Sequence, residues 1–467
     1  MIPAVLLLTV LWTAEPDTTV LTARSFYEVV AQNHPLVRQA ALFNDEARQE
    51  VLQAQGAFDP KLLGEYYRKD FGNKLYYDKW LSGLSVPVWL GGADIKVTHE
   101  RNRGSFVNAE DRMSTPGLTA VGINIPVGQG LLIDARRNAL RQAELAVTLA
   151  DADRLKLINK TLFDAAKTYW DWYVAYQQYV LIQEGYQLAD VRYRAVRQRA
   201  LLGDAAAIDT TEALITAQDR LVQRQQAEVD LQNARLRMSA FLWNTNNQPV
   251  DLPANVVPQA SGLALANEEV LQSLLNRAAE QHPDLTKLDT KFRQLVLEER
   301  FRREMLKPQV NVNASLLSGT ALVGGPNDWP MYYSFRPANH KIGVDLVFPL
   351  FLRKERGKLR QVQIKAQQVT LERQQTGRFI LNAVQGAYNE LKALENQIAV
   401  QQQAVANQRV LLRAEQQKFE IGESSLFLVN AREAKLIDMA VKLAQLRAKY
   451  QKAVAELYFT AGTSTPI

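Results

Sequence analysis

The residue types that carry most enzyme and metal chemistry are scarce in this sequence. The 467 residues contain no cysteine, which excludes disulfides, thiolate metal ligands and cysteine nucleophiles. The four histidines are His34, His99, His282 and His340, and no two of them have metal-ligand spacing on one helix. The adjacent carboxylates Glu268 with Glu269, and Glu298 with Glu299, lie on polar helical stretches where neighbours do not share a face. We therefore predict no metal, no cofactor and no catalytic centre.

Two further features could suggest a ligand, and neither is specific. The segment GQGLLI, Gly128 to Ile133, begins like a dinucleotide fingerprint but lacks the third glycine. The net charge of +6 comes from 55 basic and 49 acidic residues that are interleaved along helices. Because such interleaving is typical of solvated helical faces, we predict neither an enzyme nor a nucleic-acid partner.

The elements that organise the chain are very long helices. Residues 356–462 contain no proline, and at 1.5 Å per residue the stretch Lys358 to Ile421 corresponds to roughly 95 Å of helix. The sequence turns back at Gly422. The return arm has apolar residues at alternating steps of three and four, which indicates a coiled-coil seam: Leu436, Met439, Leu443, Leu446, Tyr450, Ala453 and Leu457.

The chain repeats itself once. His34 recurs as His282, 248 positions later, whereas Gly203 recurs as Gly422, only 219 positions later. The difference of 248 minus 219 means that the first half carries 29 extra residues. We predict a first repeat at 21–243 with a helical hairpin at 135–243, a linker at 244–262, and a second repeat at 263–462 with a hairpin at 356–460.

Before each long helix, apolar and polar residues alternate with the two-residue period of β-strands. The predicted strand regions are about 60–127 and 308–350. In QVNVNASLL and HKIGVDLVFPL apolar and polar residues alternate over lengths that suit membrane strands. The extra residues add a candidate hairpin from Tyr76 to Arg103, which either joins the same sheet or projects as an external loop. No stretch after the N-terminus is apolar for 18 residues, so a membrane-spanning form must use strands, and several copies must close them.

Residues 1–20 are predicted to be a signal segment. The run from Ile2 to Trp12 is apolar, although no Lys or Arg precedes it. A disordered apolar terminus is the alternative interpretation.

Four segments resemble the TolC-type outer-membrane efflux protein family. They are the strand-to-helix junctions IPVGQGLLIDARRNALRQAELA and FPLFLRKERGKLRQVQIKA and the tips LLGDAAAIDTTEALI and IGESSLFLVNAREAKL. The resemblance implies an α+β membrane protein: a homotrimer with one shared outer-membrane β-barrel, in contact with membrane lipid, continued by a long α-helical tunnel in the periplasm. It also implies a passive efflux channel that works with a periplasmic adaptor and an inner-membrane transporter. The cargo stays open.

The resemblance also assigns candidate site residues at the two tips. The family's entrance is narrowed by polar side chains just after the tip, which gives these candidates: Asp209, Glu212, Asn430, Arg432 and Glu433. The second half departs from the pattern, because the position that matches Asp209 is Leu428. Adaptor contacts are expected at Gly203, Asp204, Gly422, Glu423 and Ser424. A secreted coiled-coil scaffold or adaptor without a channel remains the alternative function.

Overall fold

The computed structural model describes residues 19–111, 113, 117–204, 206–260, 262, 267–319, 333 and 335–464. The predicted signal segment therefore lies almost wholly outside the described residues. The chain divides into two compact units. The first unit comprises Met1–Leu42, Asp153–Pro283 and Thr376–Ile467, and the second comprises Phe43–Ala152 and Asp284–Gln375.

The two halves of the chain have similar element orders, except that the first half has two more strands between its short and long helices. The first half has β1 (Thr19–Leu21), α1 (Ala23–Asn33), α2 (Pro35–Gln55), β2 (Lys61–Phe71), β3 (Lys74–Pro87), β4 (Asp94–Arg103), β5 (Leu118–Pro126), α3 (Ala135–Leu201) and α4 (Ala207–Ser239). The second half has β6 (Val256–Pro258), α5 (Glu268–Gln281), α6 (Pro283–Glu304), β7 (Gln309–Gly319), β8 (His340–Val347), α7 (Arg353–Glu420) and α8 (Leu426–Thr460). Strands β2 to β5 lie within 61–126, and strands β7 and β8 lie within 309–347.

The short helices of the two halves begin and end by the same local chemistry. The hydroxyl of Thr22 accepts a hydrogen bond from the backbone N–H of Ser25 at the start of α1. At the start of α5, the amide oxygen of Asn267 accepts from the N–H of Val270 at 2.9 Å. Both are N-caps that satisfy a helix N–H left without an intrahelical partner. Each helix then stops at a histidine followed by a proline, because a proline disfavours helical geometry in the residue before it.

The core of the first unit is built around Tyr169 on α3. Its ring is fully buried, and its hydroxyl donates to the carbonyl of Leu21 at 2.8 Å and accepts from the N–H of Gln259 at 3.1 Å. These bonds tie the parallel pair β1 and β6 to the long helix. The buried residues around it are Phe26, Val30, Leu162, Ala165, Trp170, Trp172, Tyr173, Leu231, Ala234, Met238, Leu252 and Ala448. The connection between the two halves is thus anchored in an aromatic core.

The buried His34 predicts a pH dependence of this unit. Its ring stacks on Phe241 with centroids 5.4 Å apart, and its Nδ1 accepts from the N–H of Leu36. Burial lowers the pKa of His34 below its ordinary value. Below about pH 6.5 the unfolded chain binds a proton that the folded chain binds less readily, so the free energy of unfolding falls as the pH falls. We expect the loss of Tm between pH 7.5 and 5.5 to be smaller in His34→Asn, and equal losses would contradict this.

The second unit contains one six-stranded antiparallel sheet with the strand order β2-β3-β4-β5-β7-β8. Strands β2 and β3 are joined by the two-residue turn of Gly72 and Asn73, which both have positive φ, near 60°. Such angles suit a tight hairpin. Strands β3 and β4, which form the extra hairpin of the first half, pair between β2 and β5. The hairpin is therefore part of the sheet, and it is not an external loop. Strands β2 and β8 are the two edges, and among the residues that the structure describes each is paired on one side only.

Residues directly opposite each other on paired strands share a face of the sheet. The strand register therefore assigns each residue to one of two faces, one mainly apolar and one mainly polar. The apolar face comprises Leu62, Tyr66, Trp80, Leu84, Val86, Ile95, Val97, Val121, Ile123, Ile125, Val310, Val312, Ala314, Leu316, Ile342, Val344 and Leu346. It also carries a short polar row in which Nδ1 of His99 lies 3.0 Å from Oγ1 of Thr119. At the end near the turn between β2 and β3, the same face carries the charged residues Arg68, Asp78, Arg101 and Arg103. The other face is mainly polar and carries Lys61, Glu65, Lys79, Lys96, Thr98, Glu100, Asn124, Asn311, Asn313, Ser315, Lys341 and Asp345. It also carries the apolar or aromatic residues Leu63, Tyr67, Leu81, Leu118, Leu317 and Val347.

Candidate functional site at the helix tips

Both helical hairpins turn at a glycine in the left-handed region. Gly203 has φ of 84° and Gly422 has φ of 82°. In each turn the next residue donates back across the helix end: the N–H of Asp204 to the carbonyl of Arg199 at 2.9 Å, and that of Glu423 to the carbonyl of Lys418 at 2.8 Å. Nothing lies within 4 Å of a Cβ added at either glycine. The backbone angle, and not the space, therefore requires glycine here.

Four of the five predicted adaptor-contact residues are exposed. They are Gly203, Asp204, Gly422 and Glu423. The fifth, Ser424, is half-buried because its hydroxyl donates to Oε1 of Glu415 at 2.5 Å. Large apolar residues next to these turns are exposed as well: Leu201, Leu202, Ile208, Ile421 and Phe427. The two turns thus carry both charged and apolar groups that are accessible to a partner.

Two of the predicted entrance residues belong to a hydrogen-bonded cluster inside the chain. Arg192 on α3 donates through Nη2 to Oε2 of Glu433 at 2.5 Å and through Nη1 to Oδ1 of Asn430 at 2.8 Å. Asn430 in turn donates to the hydroxyl of Thr216 on α4 at 3.2 Å. The side chain of Glu433 is only 6% exposed. We call Arg192, Thr216, Asn430 and Glu433 the tip network; it connects α3, α4 and α8.

A third predicted entrance residue, Arg432, also has its partners within the chain. Its Nε lies 3.8 Å from Oε2 of Glu415, the carboxylate that accepts from Ser424. Its backbone carbonyl accepts from the side-chain amide of Gln408 at 2.9 Å. These contacts hold α8 against α7 close to the turn. The second-half candidates therefore stabilise the helix packing of the chain.

Asp209 and Glu212, on the first turns of α4, are placed differently. Both side chains are half-buried, and within the described part of the chain neither has a hydrogen bond or an ion pair. Glu212 lines an open groove together with Ile208, Thr211, Ile215, Thr216, Phe427, Asn430 and Ala431. Of the five entrance candidates, these two keep carboxylates that are free to face a solute or a second copy of the chain.

Sequence reasoning missed Arg192, Thr216 and Glu415, although a signal for the first was present. Arg192 precedes Gly203 by eleven positions, and Glu433 follows Gly422 by eleven. When two helix turns lie side by side, residues equally far from each turn lie next to each other on the neighbouring helices. Opposite charges at such positions can form an ion pair. The glycine at 185 is also explained, because a Cβ added there would lie 2.6 Å from Cδ1 of Ile437.

The adjacent carboxylates Glu298 and Glu299 and the segment GQGLLI have structural roles. Glu298 accepts from Asn138 at 2.8 Å and pairs with Arg302, whereas Glu299 pairs with Arg303. The segment GQGLLI lies between β5 and α3, the strand-to-helix junction that the resemblance implies. Among the described residues, no group of three or more acidic or histidine side chains is placed to hold a metal ion. None of the helices in the described ranges has an apolar run long enough to cross a membrane.

Comparison with known proteins identifies a family and a fold. Residues 274–463 match the family model described as outer membrane efflux protein. A search of the curated proteins finds no match to the sequence.

The fold is shared with solved outer-membrane channels. The MtrE outer membrane channel of Neisseria gonorrhoeae is 14% identical with a TM-score of 0.68, covering 95% of this chain and 91% of that one. The outer membrane protein VceC of Vibrio cholerae is 14% identical with a TM-score of 0.65, covering 95% and 97%. The CmeC outer membrane channel of Campylobacter jejuni is 12% identical with a TM-score of 0.65, covering 95% and 87%.

These findings agree with the predicted resemblance to this family and with the predicted outer-membrane location, and they confirm the predicted fold class of strands combined with very long helices. The matched family is one of efflux channels and not of enzymes. Residues 274–463 thus match the outer membrane efflux protein family, and over nearly its whole length the chain has the fold of the solved outer-membrane channels.

Proposed function

We propose that three copies of the chain form a passive channel-tunnel that exports solutes across the outer membrane, from the periplasm or from an inner-membrane transporter. The observation that carries this proposal is the sheet, with its apolar face, its polar face and its two open edges. An apolar face of this kind suits membrane lipid, and a polar face suits a water-filled lumen. An open edge cannot lie in lipid, so the edges must pair between copies.

The test is single-channel conductance of the detergent-purified protein in a planar lipid bilayer. Channel function predicts discrete current steps after insertion. A secreted scaffold without a channel, the second candidate, predicts a soluble oligomer that never inserts. The large exposed apolar residues of the sheet disfavour the scaffold, since Ile342, Val344 and Leu346 are each about two-thirds exposed. Absence of insertion would remove the channel proposal.

Within this function, Asp209 and Glu212 are proposed to line the entrance. In a three-fold arrangement each contributes a ring of three carboxylates, which attracts cations and repels anions. We expect Asp209→Ala to lower the ratio of cation to anion permeability severalfold. The control is Asp219→Ala, which removes an exposed carboxylate ten residues further along α4. Selectivity that is the same in both variants and in the wild type would contradict an entrance at Asp209.

The exposed turns are proposed to bind the periplasmic adaptor that couples the channel to its transporter. Gly203, Asp204, Gly422 and Glu423 are accessible there, beside exposed leucine and isoleucine side chains. A mixed surface of this type suits a protein partner better than a lipid or nucleic-acid partner. The roles of Asn430, Arg432 and Glu433 are proposed to be indirect, since these residues hold the helices that position the turns.

A further inference from the structure

The sheet of the second unit contains two more strands than the tandem repeat requires. Strand β2 begins 248 residues before β7, whereas the helix turns are only 219 residues apart. The hairpin of β3 and β4, Lys74–Arg103, has 30 residues and so accounts for the 29 extra positions of the first half. We call it the inserted hairpin. Without it the chain would contribute β2, β5, β7 and β8, two strands from each half.

The inserted hairpin is paired along its length on both sides. Strand β3 pairs with β2 from Ser85 to Lys74, and β4 pairs with β5 from Asp94 to Glu100. Gly83 permits the close approach of the two inserted strands, because a Cβ there would lie 2.8 Å from the carbonyl oxygen of Val97. The hairpin thus separates β2 from β5, and it could leave the sheet only if both of these ladders broke.

The two faces of the inserted hairpin match the faces of the whole sheet. On one face Trp80, Leu84 and Val97 continue the apolar face, and each is more than one-third exposed. At the end away from the hairpin's turn, the same face carries the ion pair of Arg101 with Asp78. On the other face Lys96 and Thr98 continue the polar face. A loop in water would not need an exposed apolar face, whereas a barrel wall between lipid and a wet lumen requires this alternation.

The turn between the inserted strands is bonded to the start of the first long helix. Arg136 of α3 donates to Oδ1 of Asp94 at 2.8 Å and to the carbonyl of Gly92 at 3.0 Å. Its guanidinium also lies 5.7 Å from the ring centre of Phe58, which contacts Trp89 in the same turn. These contacts fix the turn of the inserted hairpin against the start of α3. The hairpin is held at the junction of sheet and helix by charge, hydrogen bonds and aromatic packing.

We propose that the inserted hairpin forms part of the barrel wall, so that the trimer has an 18-stranded barrel with a lumen suited to large solutes. This proposal rests on the trimeric channel proposed above, in which six strands from each of three chains make 18. With strands about 4.8 Å apart and tilted about 40°, 18 strands give a backbone diameter of about 36 Å, against about 24 Å for 12 strands. Side chains leave lumens of about 24 and 12 Å in the two cases, since each wall of side chains takes about 6 Å.

Single cysteines test the hairpin's place in the wall, because the native chain contains none. A water-soluble, membrane-impermeant thiol reagent is added to single channels of Thr98→Cys, on the polar face, and of its neighbour Val97→Cys, on the apolar face. The proposal predicts stepwise loss of current in Thr98→Cys and unchanged current in Val97→Cys. Unchanged current in both, or equal modification of both, would place the hairpin outside the wall and overturn the proposal.

Polymer exclusion measures the width directly. Neutral polymers of about 9 Å hydrodynamic radius, added on the barrel side, are expected to enter the wild-type lumen and lower its current, since a lumen about 24 Å wide admits them. A variant without Lys74–Arg103 keeps the up-and-down order of its four strands and is expected to exclude the same polymers. Exclusion by the wild type would contradict the wide barrel while leaving the channel itself intact. Failure of every variant to form channels would instead remove the proposed function, and this inference with it.

Discussion

Replacing Val344 by arginine is expected to destabilise the membrane-inserted protein by about 2–4 kcal/mol, because a lipid-facing cation at mid-strand loses its hydration. Val344 lies on the apolar face of β8, directly opposite Val312, and 64% of it is exposed. The next residue on the strand, Gly343, provides the matched control. It lies on the polar face, and nothing is within 4 Å of a Cβ added there.

Unfolding by urea in lipid vesicles measures the difference. Gly343→Arg places the same charge one position away, where a water-filled lumen solvates it, so its effect is expected to be small. If Val344→Arg and Gly343→Arg are equally stable, the apolar face does not contact lipid. A larger loss in Gly343→Arg would reverse the assignment of the two faces.

Replacing Arg192 by alanine is expected to destabilise the helix tips by about 3 kcal/mol, because Glu433 is left as a buried charge without its partner. Arg192 also donates to Asn430, so the link from α3 to α8 loses two hydrogen bonds at once. Two positions further along the same helix, Arg194 pairs with Asp190 on the surface, where Arg194 is 75% exposed. Arg194→Ala is expected to cost less than about 1 kcal/mol.

Hydrogen exchange of the backbone amides near the two turns measures this local stability. In Arg192→Ala, amides of α3 and α8 close to the turns should exchange faster, while those around Tyr169 should keep their protection. The double variant Arg192→Met with Glu433→Leu should recover much of the loss, since no charge then remains buried. Unchanged exchange in Arg192→Ala would show that the tip network does not hold the helices together.

The strands and long helices could be predicted from the sequence because the patterns that indicate them are local. Helix caps, prolines and the two apolar periods depend on residues within a few positions of each other, so the strands and long helices could be placed from patterns alone. Whether the inserted hairpin joins the sheet could not be decided in this way. That outcome depends on pairing between β4 and β5 and on the bonds of Arg136 to Asp94 and Gly92, which are tertiary contacts.

The candidate site was predicted less completely, for the same physical reason. The turns at Gly203 and Gly422 follow from glycine's access to positive φ, a local property. The partners of Asn430 and Glu433 lie more than 200 positions away in sequence, at Thr216 and Arg192. Such pairs can be found in the sequence only by comparing residues that are equally far from the two turns. A polar residue near a turn can therefore line an entrance or pair within the chain, and its partners distinguish the two.

Electron cryomicroscopy of the purified protein in lipid nanodiscs is the decisive test of how the sheet closes. The proposed channel requires that copies of the chain pair through the open edges β2 and β8 to close one barrel across the membrane. We predict particles with three-fold symmetry, a closed barrel inside the disc and the apolar face against lipid. Particles in which the sheet stays open, or in which no strands cross the disc, would contradict a barrel shared between copies.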